Sequence, residues 1–205
     1  MPQTQPKTQP KAEDKAALSS WSSTRPQMEN TNPLVQAFTR LNVYLYSKPP
    51  NKYVKKVNTS FLRLHLFLYR ASRGKIMGHF GRLDALLLTT TGRRTRLPRT
   101  VPVGYVYDNG RYIVCAAPGH FDVPGGPRAS HPAWYHNVRA TPQVSVDIGP
   151  EQFPATTRIL TGAERDRRWR QFTEVFPFIA EFQKRASRPI PVIEITPDDL
   201  DPQQL

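Results

Sequence analysis

The sequence predicts an α+β chain: a small, mostly antiparallel β-barrel with helices before it and a helical segment near its C-terminus. Three observations carry this. From residue 84 onward, short β-branched runs alternate with turn signals, the pattern of strands joined by tight connections. Helical patterns are few: before residue 84, in a short run at 131–137, and over 161–184. With several short strands and few helices to cover them, closing the sheet into a barrel removes exposed edges.

Residues 1–30 are rich in Pro, Gln, Lys and Ser, with almost no apolar pattern. Such a segment cannot bury enough surface to offset the entropy of ordering, so a disordered tail is expected. Asn32-Pro33 then reads as a helix start, with Asn as cap and Pro at the first helical position. Leu34, Phe38, Leu41 and Leu45 form one apolar face, and Pro49-Pro50 ends it. Over Phe61–Tyr69 the alternation of Leu62, Leu64, Leu66 and Leu68 fits a strand, whereas Phe61, Leu64 and Leu68 fit a helix. Capping residues upstream and Gly74 downstream favour the helix.

Residues 31–83 form a basic N-terminal helical unit: from Thr31 to Leu83 there is no Asp or Glu, but there are ten Lys or Arg. A solvated face packed on the domain is the favoured reading, and peripheral contact with an anionic membrane is the second.

The barrel is expected over 84–197, followed by a short tail at 198–205. Ala85–Thr90 and Thr100–Tyr107 are strands, and Asp108-Asn109-Gly110 is a tight hairpin turn before Arg111–Ala117. Residues 118–130, with three glycines and three prolines, form a long loop of the kind that often serves as a lid. Ser130 is expected to cap a short helix bearing His131-Pro132-Ala133-Trp134-Tyr135-His136-Asn137. Val144–Ile148 and Phe153–Leu160 make a second hairpin. Residues 161–184 are helical, with Thr161 and Glu164 as a capping box and a break at Pro177. Pro191–Ile195 is the last strand.

The charge balance narrows the partners. A net charge of +13 favours an anionic ligand or surface. The single cysteine, Cys115, excludes an internal disulfide and reads as a small core residue. No apolar run reaches the roughly 18 residues of a membrane span, and no signal-peptide core opens the sequence, so a cytoplasmic or peripherally membrane-associated protein is expected. His120, His131 and His136 lie within 17 residues, but without the flanking ligands of usual metal sites; no metal is expected.

The sharpest chemical signal is the connection between the first two barrel strands. Arg93, Arg94, Arg96 and Arg99 fall within seven residues after Gly92. Arginine presents a rigid fork of donors suited to phosphate and carboxylate. On spacing alone, a solvated hairpin, a nucleic-acid contact and a small-anion site all remain open. The basic-aromatic interleaving usual for base stacking is lacking, so nucleic acid is not expected.

The order of motifs resembles the deazaflavin-dependent nitroreductase family, whose members bind coenzyme F-420 in a split β-barrel. The resemblance rests on Leu-Leu-Thr-Thr-Thr-Gly-Arg-Arg-Thr at 87–95, Pro98-Arg99-Thr100-Val101-Pro102 and the Asp-Asn-Gly hairpin. It continues through the His131–Asn137 run, Arg139-Ala140 with Pro142, and Ile190-Pro191-Val192. It implies a split β-barrel of the FMN-binding type and an oxidoreductase passing hydride from reduced deazaflavin to an apolar or polycyclic small molecule. A barrel using FMN, or with altered or lost redox activity, is the alternative. It further implies that Gly92, Arg93, Arg94, Thr95, Pro98 and Arg99 grip the coenzyme's phosphate and glutamate tail. Backbone around Thr100, Val101, Pro102 and Val103, and around Ala116, Ala117 and Gly119, would meet the ring system. Trp134, Tyr135 and Asn137 would shape the pocket wall. Relatives with this barrel often pair, so a homodimer is expected.

The sequence departs from the family pattern at several positions. Arg96 replaces a usual glycine, Ala117 a usual serine, and the 118–130 loop is long. Gly104 stands where a large aromatic is common, and Phe176, Phe178 and Phe182 where tyrosines are common. These last four are the expected substrate pocket. Proton delivery would then fall to water or to Tyr105 and Tyr135.

Overall fold

A computed structural model describes residues 52–200 except 81–82, 118–130, 185 and 187. The tail at 1–30, the expected helix at 32–49, the loop at 118–130 with Gly119, and most of the 198–205 tail lie outside the described residues.

Helix α1 (Lys52–Ala71) resolves the ambiguity over 61–69 in favour of a helix. It stops where Arg73 and Gly74 take left-handed conformations (φ 54° and 77°) and Gly74 N–H reaches back to the carbonyl of Tyr69. The basic unit is not helical throughout. A short strand, β1 (His79–Phe80), follows and pairs with β2 (Leu83–Thr91), so the sheet begins before residue 84.

The barrel continues with β3 (Pro98–Asp108) and β4 (Arg111–Cys115), then, after helix α2 (Ala133–Ala140), β5 (Gln143–Ile148) and β6 (Glu151–Ile159). Helices α3 (Gly162–Val175) and α4 (Phe178–Lys184) precede the last strand, β7 (Val192–Pro197). The strands run β2-β3-β4-β7-β6-β5, and β5 pairs back onto β2 through Leu87–Thr90, closing six antiparallel strands into a split β-barrel. The β3–β4 hairpin turns at Asn109 and Gly110 with positive φ at both, as the Asp-Asn-Gly signal requires.

Alternation along each strand sorts the side chains. Leu86, Leu88, Val103, Tyr105, Val114, Val146, Ile193 and Ile195 fill the interior. Tyr112 packs there against Tyr105 edge-on and against Tyr107 at a tilt, with ring centroids 5.3 Å from each. Helix α2 joins the same core through Trp134, Tyr135 and Val138. The opposite face of β4 and β7 is covered by α3 and α4, where Ile113, Val192, Phe172 and Ile179 form a second core. Helix α1 is tied to the barrel by Tyr69, whose hydroxyl donates to the carbonyl of Ala85 (3.1 Å) and accepts from Gly149 N–H (3.3 Å).

Two expected caps are corrected. Pro132 occupies the cap position of α2, and Ser130 lies outside the described residues. Thr161 does cap α3 by position, but its side chain makes no capping bond. Glu164 is drawn away from the backbone by a two-pronged pair with Arg158 (2.6 and 2.7 Å). A charged fork is a stronger partner than one backbone N–H. The helical segment does divide at Pro177, as expected. Among the described residues no helix is long and apolar enough to cross a membrane.

Candidate functional site

The arginine turn joins β2 to β3. Gly92 is buried at its base, with its N–H bonded to the carbonyl of Leu97 (2.9 Å) and its carbonyl accepting from Arg96 N–H (2.7 Å). A Cβ at Gly92 would lie 2.7 Å from Thr95 Oγ1 and 3.1 Å from Leu97 O, so the close approach, not the dihedral, demands glycine. Arg96 takes the left-handed conformation (φ 58°), which the glycine expected there would have adopted without strain.

Arg93, Arg94, Arg96 and Arg99 are all exposed, as are Thr95 and Pro98. Among the described residues none of the four arginines has an ion pair. Their backbone, by contrast, is tied down. Asn137 on α2 is buried; its Oδ1 accepts from Arg93 N–H (3.1 Å) and its Nδ2 donates to Thr90 Oγ1 (2.9 Å). Thr90 in turn donates to the carbonyl of Arg99 (3.3 Å). Neither Thr90 nor the reach of Asn137 across 44 residues has a local sequence signal.

Positive charge continues from the turn across α2. The His136 ring is lowered in pKa by burial and then by Arg93, Arg139 and Arg188. The His131 ring packs against the Tyr135 ring with centroids 4.4 Å apart, and the Arg139 guanidinium lies 5.9 Å from the centroid of the same Tyr135 ring. The pairing of His131 with Arg188 also escaped the sequence reading.

The remaining expected residues divide between two faces of β3. Val101, Val103 and Tyr105 belong to the interior core, so the two valines offer only backbone to the outside. Tyr105 is 4% exposed, and a proton passed through it would have to cross packed side chains. Thr100, Pro102 and Gly104 alternate onto the outer face, where Thr100 shares a hydroxyl hydrogen bond with Thr89 (2.9 Å). Val106 and Ala117 lie against the second core, and so does Phe176. Gly104 is thus on the strand face that leads to Phe176. Ala116 and Trp134 are buried in the interior core. Phe182 is half-buried, and the side chain of Phe178 lies outside the described residues.

Cys115 is half-buried in the outer layer, and burial pushes its thiol pKa up, which leaves it a poor nucleophile. No group of three His, Cys, Asp or Glu suited to a metal ion occurs among the described residues.

Residues 61–197 match the family model described as F420H(2)-dependent quinone reductase. The chain belongs to this family. An F420H(2)-dependent quinone reductase of Mycobacterium tuberculosis is 37% identical over 147 residues, covering 69% of this chain and 93% of the relative. A solved structure titled as an F420-H2 dependent reductase is 39% identical over 54% of this chain and 92% of its own, with a TM-score of 0.45. Another, titled a domain-swapped dimer, is 35% identical, covers 67% and 98%, and has a TM-score of 0.48. Family membership makes the protein a deazaflavin-dependent oxidoreductase whose cofactor is coenzyme F-420. The exposed, unpaired guanidiniums on a pinned turn fit the anionic end of that coenzyme.

Proposed function

We propose that this oxidoreductase reduces an apolar, polycyclic acceptor of the quinone kind, with its arginine turn holding the phosphate and glutamate tail of the coenzyme. One observation carries the placement: four exposed arginines without a described carboxylate partner, on a backbone held from within by Asn137 and Thr90. The bound deazaflavin supplies the hydride. Arg93, Arg94 and Arg99 neutralise its tail. The outer face of β3, at Thr100, Pro102 and Gly104, borders the ring system, and the missing side chain of Gly104 leaves room beside it. Phe176, Phe178 and Phe182 favour an apolar acceptor, and with Tyr105 and Tyr135 both packed in the interior core, proton delivery falls to water.

Titration with coenzyme F-420, FMN and a DNA duplex, followed by tryptophan fluorescence, tests this. The coenzyme is expected to bind, and Arg94→Ala or Arg99→Ala to weaken it by about 1.5–3 kcal/mol each. Tight FMN binding without F-420 binding would overturn the cofactor placement. Turnover with a soluble naphthoquinone, read as loss of reduced coenzyme, tests the acceptor.

A second observation supports peripheral membrane contact through α1. Leu64 and Phe67 are 52% and 67% exposed one helical turn apart, and Ile76 beyond the helix is 52% exposed. Arg63, Arg70, Arg73 and Lys75 are exposed around them. An apolar stripe flanked by cations suits an anionic lipid surface. Flotation with phosphatidylglycerol vesicles is the test; Leu64→Ser with Phe67→Ser should abolish it. Light scattering tests the homodimer proposed from the resemblance.

A further inference from the structure

Asn137 spends both ends of its side-chain amide on the two legs of the arginine turn. Its Oδ1 receives the N–H of Arg93 at 3.1 Å, and its Nδ2 reaches Thr90 Oγ1 at 2.9 Å. The Thr90 hydroxyl then donates to the carbonyl of Arg99 at 3.3 Å. Within the turn framed by the β2–β3 ladder, one side chain on α2 therefore braces the backbone of Arg93 directly and that of Arg99 through Thr90. Both members of the relay are buried, Asn137 at 6% and Thr90 at 1% exposure. At that depth a hydrogen bond is electrostatically stronger and an unpaired partner is costly, so the geometry is strongly preferred. The guanidiniums beyond it are exposed and carry large rotamer entropy. Fixing their backbones reduces what must be ordered when an anion binds.

We infer that Asn137 is a positioning residue for the anionic end of the coenzyme, acting through Arg93 and through Thr90 to Arg99, rather than a wall of the ring pocket. This assignment rests on the reading that the arginine turn holds that anionic end. It separates two effects that a contact role would merge. A pocket-wall residue influences every deazaflavin alike. A residue acting through the turn influences only ligands with a phosphate and carboxylates for the turn to hold.

The test compares coenzyme F-420 with its deazaflavin nucleoside, which lacks phosphate and glutamates, by tryptophan-fluorescence titration of the full chain. Asn137→Ala and Thr90→Val should each weaken the tailed coenzyme by about tenfold or more, while the nucleoside's affinity changes by less than about twofold. Thr90→Ser keeps the hydroxyl and should restore binding. If Asn137→Ala proves unfolded by circular dichroism, the Thr90→Val and Thr90→Ser pair carries the test alone. Equal losses for both ligands would overturn the inference. So would unchanged binding in Thr90→Val while Arg94→Ala still weakens the tailed coenzyme. Were Arg94→Ala also without effect, the turn would not be the anion site, and the inference would fall with it.

Discussion

Arg188 donates from its Nε to Nε2 of His131 across 3.0 Å, which holds the imidazole as a neutral acceptor. Burial and then the charges of Arg188, His136 and Arg139 push its pKa down from 6.5 to about 4. The unfolded chain takes up a proton near pH 6.5 that the folded chain refuses until about 4. Stability from this site is therefore complete above pH 6.5 and is lost as the pH falls towards 4. Urea midpoints between pH 4.5 and 7.5 should decline with acidity, and His131→Asn should flatten that decline. An equally steep decline in the variant would count against the pairing.

His136 is depressed in the same direction, but beside the arginine turn. Its half-buried ring is held below its ordinary pKa by burial and then by Arg93, Arg139 and Arg188. An anion placed among those arginines would favour the protonated ring, so binding and protonation reinforce each other. Affinity for coenzyme F-420 should rise as the pH falls below 6.5, and His136→Gln should remove the rise. The measurement is the Kd across that range at fixed ionic strength.

Gly92→Ala should distort the turn, because the added Cβ meets Thr95 Oγ1 at 2.7 Å and Leu97 O at 3.1 Å. A loss of about 1–3 kcal/mol is expected from such overpacking, together with weaker coenzyme binding. Adding Thr95→Ala should recover part of both, since it removes the nearer obstruction. Melting curves and titrations of the single and double variants decide it.

Glu194 on β7 is 2% exposed and sits among Arg158 (2.8 Å), Arg111 and Arg168 (3.6 Å each). Arg168 is also bonded to Asp108, at the start of the β3–β4 turn. Removing a buried partner leaves charge uncompensated, and Glu194→Gln should cost about 3–5 kcal/mol by chemical denaturation. Glu164→Gln, at the exposed end of the same network, should cost far less. Neither change should alter coenzyme affinity, because the cluster lies away from the arginine turn.

Local chemistry was legible wherever neighbours in sequence settle a conformation. Asn109-Gly110 names its hairpin because the turn needs positive φ at both positions. Pro177 divides α3 from α4 because its ring cannot continue a helix. The capping box failed because Glu164 had a partner on another element, Arg158 on β6. Ser130 failed as a cap because the helix begins after Pro132. The placement of Tyr105 inside the barrel follows from strand alternation, but which parity faces inward depends on closure between β2 and β5.

What the sequence by itself determined is the six barrel strands, the basic turn between two of them and the family, because each is written in short-range patterns of residue type. Only the tertiary structure decided how that turn is held. Asn137 lies 44 residues from Arg93 and 47 from Thr90 along the chain. Their meeting depends on α2 packing into the barrel core through Trp134, Tyr135 and Val138. Charge is a property of the residues that carry it, whereas the backbone spacing that aims the charge belongs to elements brought together by burial.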